Sequence, residues 1–225
     1  MSRLTVSCHS VVRRSEETGS PTIILVTWAG VNKLYLPDGK VSFMRESQRT
    51  AILEAGLRVA GGATGAAITL EGVAIEAGVT KPGLMYHFPN REALMVALIE
   101  HAALQVKRRM TDLLGTSAEA ASANARYRAY VLVTAEGHNM RAEWALWFQS
   151  AYRPELQSAW TKHLGPWLSL PNEISDATKA KLLTARLASD GLWAARASGV
   201  LAPDERAQTL IVSNLLNLTV EDAQP

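Results

Sequence analysis

The sequence predicts an all-α protein, and three observations lead there. From Met44 onward apolar residues recur at the i, i+3, i+4, i+7 spacing of one helical face. The runs are separated by Gly, Pro or Asn at positions where helices stop. Only one short run, TIILVTW at residues 22–28, has the β-branched and aromatic character of a strand. A chain of 225 residues is long enough to bury a real core in one or two domains. The single cysteine, Cys8, can form no internal disulfide, which fits a reducing cytoplasm. No apolar run approaches the roughly 20 residues of a membrane span, so no membrane partner is expected.

Residues 1–43 differ from the rest. They combine a polar segment, RRSEETGSP, with the β-like run and a PDG turn signal, and they show no helical period. They read as an extension, either a small arm or hairpin or a stretch preceding a working start at Met44. The second reading is preferred, because an isolated hairpin buries too little apolar area to be stable alone. The whole net charge of +2 lies in this extension. Beyond it, 18 basic residues face 18 acidic ones. Binding to a polyanion must therefore depend on where charges sit.

The first helix carries Ala51, Ile52, Ala55, Val59 and Ala60 on one side and stops at Gly61 and Gly62. Thr69 is a capping hydroxyl just before Leu70, Val73, Ala74 and Ala77, the apolar face of a short second helix. Gly78 suits a left-handed residue at its end, Val79 an apolar plug in the turn, and Thr80 the cap of a third helix. Pro82 falls in the first turn of that helix, where a missing amide hydrogen costs little. Leu84 and Phe88 point inward, and Pro89 and Asn90 end it. A long fourth helix follows, from Arg91 to about Leu114. Gly72 has no evident role, at about 1 kcal/mol relative to alanine inside a helix.

Two short helices joined at a glycine, flanked by helices that can pack on them, describe a helix-turn-helix. TLEGVAIEAGVTKPGLMYHFPNREAL closely resembles the DNA-binding region of the TetR family of transcriptional regulators, which typically reads T-L-x-x-V-A-x-x-A-G-V-[ST]-K-x-x-L-Y-x-H-F-x-[SN]-K-E-x-L. The match spans about residues 45–95. Met85 stands where the family most often has tyrosine, with Tyr86 one residue later, and Gly83 replaces a frequent Ser or Thr. The resemblance implies a TetR-like fold of nine helices. A three-helix DNA-binding domain at 44–94 would precede a helical ligand-binding and dimerisation domain at 95–225.

The resemblance also implies a DNA face. The third helix would enter the major groove by its N-terminal end, where amide hydrogens and the helix dipole favour phosphate. Thr80, Lys81, Pro82 and Gly83 would lie closest to the DNA, with Lys81 able to donate to guanine O6 and N7 or to a phosphate. Tyr86, His87, Thr69 and Arg91 are candidates for phosphate contacts, and Arg45 and Arg49 lie where the first helix or its arm reaches the backbone. His87 could equally pack inside the small domain.

The remainder reads as helices at about 119–136, 140–151, 154–168, 176–198 and 204–219. The last two carry more apolar residues than one face needs: Leu182, Leu183, Leu187, Leu192, Leu210, Ile211, Leu215 and Leu216 among them. Family members pair these helices into a four-helix interface, which implies a homodimer and a palindromic operator of double-stranded DNA. Five of the six tryptophans, Trp144, Trp147, Trp160, Trp167 and Trp193, lie in this half. Most suit core packing. Some could line an effector cavity together with His138, Glu143, Gln149, Tyr152 and Asp190. Indole faces beside Asp190 or Glu143 would suit a cationic or flat aromatic ligand.

An enzyme is not expected. The five histidines show no HExxH and no Cys partners, so neither a metal nor a cofactor is implied, and no phosphate loop or G-x-S-x-G elbow occurs. The family resemblance implies a ligand-responsive repressor released from its operator by a small molecule. A transcriptional activator, or a helical adaptor that kept the fold without operator recognition, are the alternatives.

Overall fold

The computed structural model describes residues 24–28, 31–35, 42–62 and 67–221, with side chains from Gln48 onward. By contacts the chain falls into two units, residues 1–51 and 52–225. The first holds strands β1 (Ile24–Trp28) and β2 (Val31–Tyr35), which pair antiparallel from Ile24 opposite Tyr35 to Trp28 opposite Val31. Residues 24–28 of the β-like run thus form one strand of this pair. The polar segment at 13–21 and the PDG signal at 37–39 lie outside the described residues.

The rest of the described residues form nine helices and the turns between them. The helices are α1 (Ser42–Ala60), α2 (Leu70–Glu76), α3 (Lys81–His87), α4 (Arg91–Leu114), α5 (Ala123–Glu136), α6 (Met140–Ser150), α7 (Pro154–Leu168), α8 (Asp176–Ser198) and α9 (Glu205–Leu218). The unit boundary falls within α1. Helix α5 begins four residues later than the spacing suggests. Residues 117–121 form turns, and the Ser122 hydroxyl accepts from Ala125 N at 3.2 Å, so the helix starts at that cap.

In the second unit α4 is the central element and packs on α5, α6 and α7. Its Leu94, Leu98, Ala102 and Met110 are fully buried in one continuous core. Ile52 and Leu57 of α1, Val73 of α2 and Leu84 of α3 join that core, as do Leu156, Trp160 and Trp167 of α7. Each buried Leu or Ile contributes about 1.5–3 kcal/mol relative to exposure. Helix α7 ends against α5. The Arg126 guanidinium donates to Ser169 O at 2.9 Å and Tyr127 OH to Leu168 O at 2.8 Å, supplying donors to carbonyls at the helix end.

Helices α8 and α9 use their apolar residues on two sides. Leu182, Leu192 and Leu215 are buried within the chain, while Leu183, Leu187 and Leu210 are exposed. No helix among the described residues is long and apolar enough to cross a membrane.

Candidate nucleic-acid interface and ligand cavity

The sequence around Gly78 builds a tight turn between α2 and α3. Gly78 has φ +65°, its N–H donates to Ile75 O at 3.1 Å, and Val79 N donates to Ala74 O at 3.0 Å. These two bonds across a left-handed glycine form a Schellman closure. The Val79 side chain then packs on the core, as the apolar plug of the turn should.

Two threonines cap the helices on either side. Thr69 Oγ1 accepts from Gly72 N at 3.0 Å, and Thr80 Oγ1 accepts from Gly83 N at 3.2 Å. A Cβ on Gly72 would stand 3.1 Å from the Thr69 oxygen, and one on Gly83 would stand 3.2 Å from that of Thr80. Both glycines therefore keep their caps uncrowded. Gly72, which has no evident role in the sequence, gains a local reason, and Gly83 has one that does not depend on DNA.

At the start of α3, Thr80, Lys81 and Pro82 are exposed and Gly83 is partly buried. Tyr86 is exposed, and His87 is partly buried with its ring edge-on to Tyr86 at 5.3 Å between centroids. Met85 is exposed as well, so this face presents a thioether where the family pattern has tyrosine. Lys81 Nζ is joined to the Glu71 carboxylate of α2. That hydrogen bond holds the Glu71 carboxyl below its ordinary value. The sequence suggests an available lysine here; the structure adds an acidic neighbour. Arg49 is partly buried, and the Arg45 side chain lies outside the described ones.

Arg91 faces inward. Its Nε donates to Ile68 O at 2.8 Å, just before α2, and its Nη2 donates to Gln149 Oε1 at 3.1 Å on α6. The side chain is partly buried and two of its nitrogens are engaged within the protein. Arg91 thus ties the residue before α2 to α6.

Helices α4 to α8 enclose a cavity of about 250 Å³. Trp144 and Trp147 of α6, Trp160 of α7 and Trp193 of α8 line it together with Val106, Leu164 and Ala194. The Trp193 ring meets Trp144 edge-on at 5.7 Å and Trp147 at 6.4 Å. Two carboxylates, Glu143 and Asp190, complete the lining with Tyr130 and Thr134. Glu143 is buried and accepts from Arg109 Nη2 at 2.9 Å and from the Trp193 side chain. Burial outweighs these partners and raises its carboxyl to about 7. Asp190 accepts from Tyr130 OH at 2.5 Å and lies 3.5 Å from Arg186, and burial raises it too. Tyr130 is pushed well above its usual value, first by burial and then by Asp190.

Glu143, Trp144, Trp147, Asp190 and Trp193 are thus brought together as lining residues. His138 and Tyr152 are not. His138 sits in the α5–α6 turn, exposed between Gly137 and Asn139, both left-handed, and Tyr152 lies beyond the end of α6 at 87% exposure. Gln149 serves Arg91 and is not part of the wall. Tyr130 and Thr134, missed in the sequence, are one helical turn apart on α5, a spacing that places both on one face.

A helix-turn-helix at one end of a helical body that encloses an aromatic cavity defines a DNA-binding regulator. The family of bacterial regulatory proteins of the TetR type matches residues 52–98, and the tetracyclin repressor-like C-terminal domain matches residues 124–220. Together they cover well over half of the chain, which belongs to the TetR family of transcriptional regulators.

Solved structures share the fold. A TetR-family regulator from Rhodococcus sp. is 18% identical with a TM-score of 0.59, over 77% of this chain and 100% of that one. The multidrug binding protein EbrR, complexed with imidazole, is 21% identical at 0.54, over 78% and 97%. A TetR family member from Streptomyces coelicolor A3 is 23% identical at 0.51, over 75% and 97%. No curated protein matches the sequence.

Proposed function

We propose that this regulator is a homodimeric repressor that binds a palindromic DNA operator through α3 and leaves it when a small molecule occupies the tryptophan-lined cavity. The exposed start of α3, carrying Thr80, Lys81 and Pro82 beside exposed Tyr86, supports the DNA reading most strongly. Lys81 reaches guanine or phosphate by exchanging Glu71 for the DNA. The exposed Leu183, Leu187 and Leu210 supply an apolar face for pairing α8 and α9 with a second copy.

Ligand response follows from α6. This helix carries three cavity residues, Glu143, Trp144 and Trp147, and also Gln149, which holds Arg91. A ligand that shifts α6 disturbs the support that Arg91 gives to Ile68 O and so reorients the entrance to α2. Moving the population from mostly competent to mostly incompetent takes about 5.5 kcal/mol of differential binding. That the fold of EbrR holds a small molecule supports a ligand role for the cavity.

The test is fluorescence anisotropy with the intergenic duplex beside the gene, against a scrambled duplex and across salt. Specific binding should weaken on Lys81→Ala by about 1–3 kcal/mol if the lysine reads a guanine. Equal affinity for both duplexes would remove the operator reading.

A further inference from the structure

We propose that the cavity selects a planar aromatic cation, with Glu143 and Asp190 as its counter-charges and the indoles of Trp144, Trp147 and Trp193 around its rings. This rests on the reading of the cavity as the effector site and adds the ligand's charge and shape.

The charged side chains of the wall are both acidic. Arg109 and Arg186 reach the two carboxylates but do not line the cavity, so a ligand meets the acids and not the guanidinium groups. The Trp160 Nε1–H is buried without a partner, but three other lining donors are already committed within the protein. The Tyr130 hydroxyl is given to Asp190, the Thr134 hydroxyl to Tyr130 O at 2.9 Å or Val131 O at 3.0 Å, and the Trp193 side chain to Glu143. A carboxylate has about four lone-pair sites, so both acids retain acceptor capacity. Edge-to-face indoles leave π-faces for a flat ring, and a desolvated cation over an indole gains more than one in water. A cavity of about 250 Å³ suits about two or three fused rings.

A positive ligand also changes the protonation of the site. The groups around Glu143 are Arg109 from α4, Tyr130 from α5 and the Trp193 side chain from α8, with Asp190 of α8 on the same wall, while α7 brings Trp160 and Leu164. In this setting burial keeps part of the Glu143 population protonated near neutral pH. An added cation completes its ionisation, and the proton passes to solvent. Binding near pH 7 therefore releases protons and strengthens as pH rises.

Three probes of similar shape separate the possibilities: N-methylquinolinium, neutral quinoline and anionic 2-naphthoate. Titrations of the full-length protein, followed by tryptophan fluorescence at pH 6 and pH 8, should show the cation binding about tenfold tighter than quinoline at pH 8. The advantage should shrink at pH 6, and naphthoate should bind weakest. Glu143→Gln should cost the cation about fivefold or more and leave quinoline within about twofold. Should that variant not fold, calorimetry of the unaltered protein in two buffers of different ionisation enthalpy reads the same point. It should find protons released with the cation and none with quinoline. Quinoline or naphthoate binding as tightly as the cation, no binding of any probe, or no proton release would overturn the proposal. Anisotropy of bound intergenic duplex separates the two readings. Release by naphthoate alone keeps an effector cavity and removes the cation. Cation binding with the expected pH profile but without release keeps the charge assignment and removes the effector role.

Discussion

Glu71→Gln should strengthen DNA binding, although it removes an ion pair. In the free protein Lys81 Nζ is held by Glu71, with the two side chains 49% and 59% exposed. To meet DNA the lysine must leave that carboxylate, and the carboxylate then stands near a polyanion. Glutamine removes both obstacles. One added lysine–phosphate contact steepens the slope of log affinity against log salt by about 0.9, which over a fourfold change in salt is about 3.5-fold in affinity. An exposed pair contributes little to folding, so circular dichroism should show the variant folded as the parent is. Anisotropy titrations between 50 and 200 mM salt would give both slopes. An unchanged slope with equal or weaker binding would show that Lys81 makes no DNA contact limited by Glu71.

Other consequences follow from the cavity and the dimer face. Glu143 titrates at about 7 when folded, against 4.5 for a glutamate free in water, so the folded state holds a proton that the unfolded chain has lost. Its contribution to stability falls as pH rises from about 4.5 through 7, by about 3 kcal/mol in all. Urea denaturation from pH 5 to 8 should therefore favour Glu143→Gln over the parent by a margin growing with pH; a constant margin would refute the shift. Gln149→Ala should leave DNA affinity within about threefold but reduce its loss on ligand binding about tenfold, read by anisotropy with and without N-methylquinolinium. Undiminished release would exclude α6 as the route. Leu187→Glu should give a monomer by light scattering, since it sets a charge in the exposed apolar row of α8; an unchanged dimer would place the interface elsewhere.

Much of this fold was legible because local chemistry and tertiary packing agree. Thr69, Gly78, Thr80 and Pro82 each serve the conformational use that the spacing gives them, while Asn90, read as ending α3, caps α4 by accepting from Ala93 N. The start of α5 was less legible, because alanine-rich residues 117–121 have helical propensity and only the Ser122 cap decides the boundary. The cavity could be read in part. Trp144 and Trp147 share a helix face with Glu143, but the partners on α5 and α7 come from tertiary packing. His138 and Tyr152 have suitable chemistry but lie in turns that carry them to the surface. Arg91 shows the opposite case. Its charge and position suggest a phosphate contact, while the closeness of Ile68 O and Gln149, which no local pattern encodes, turns it inward.

Selection of bound duplexes from a randomised pool, followed by sequencing, tests operator recognition most directly. The predicted result is a palindrome with half-sites about one helical turn or somewhat more apart, bound about a thousandfold or more tighter than the starting pool. Recovery of duplexes with no common sequence, bound no better than the pool, would contradict it.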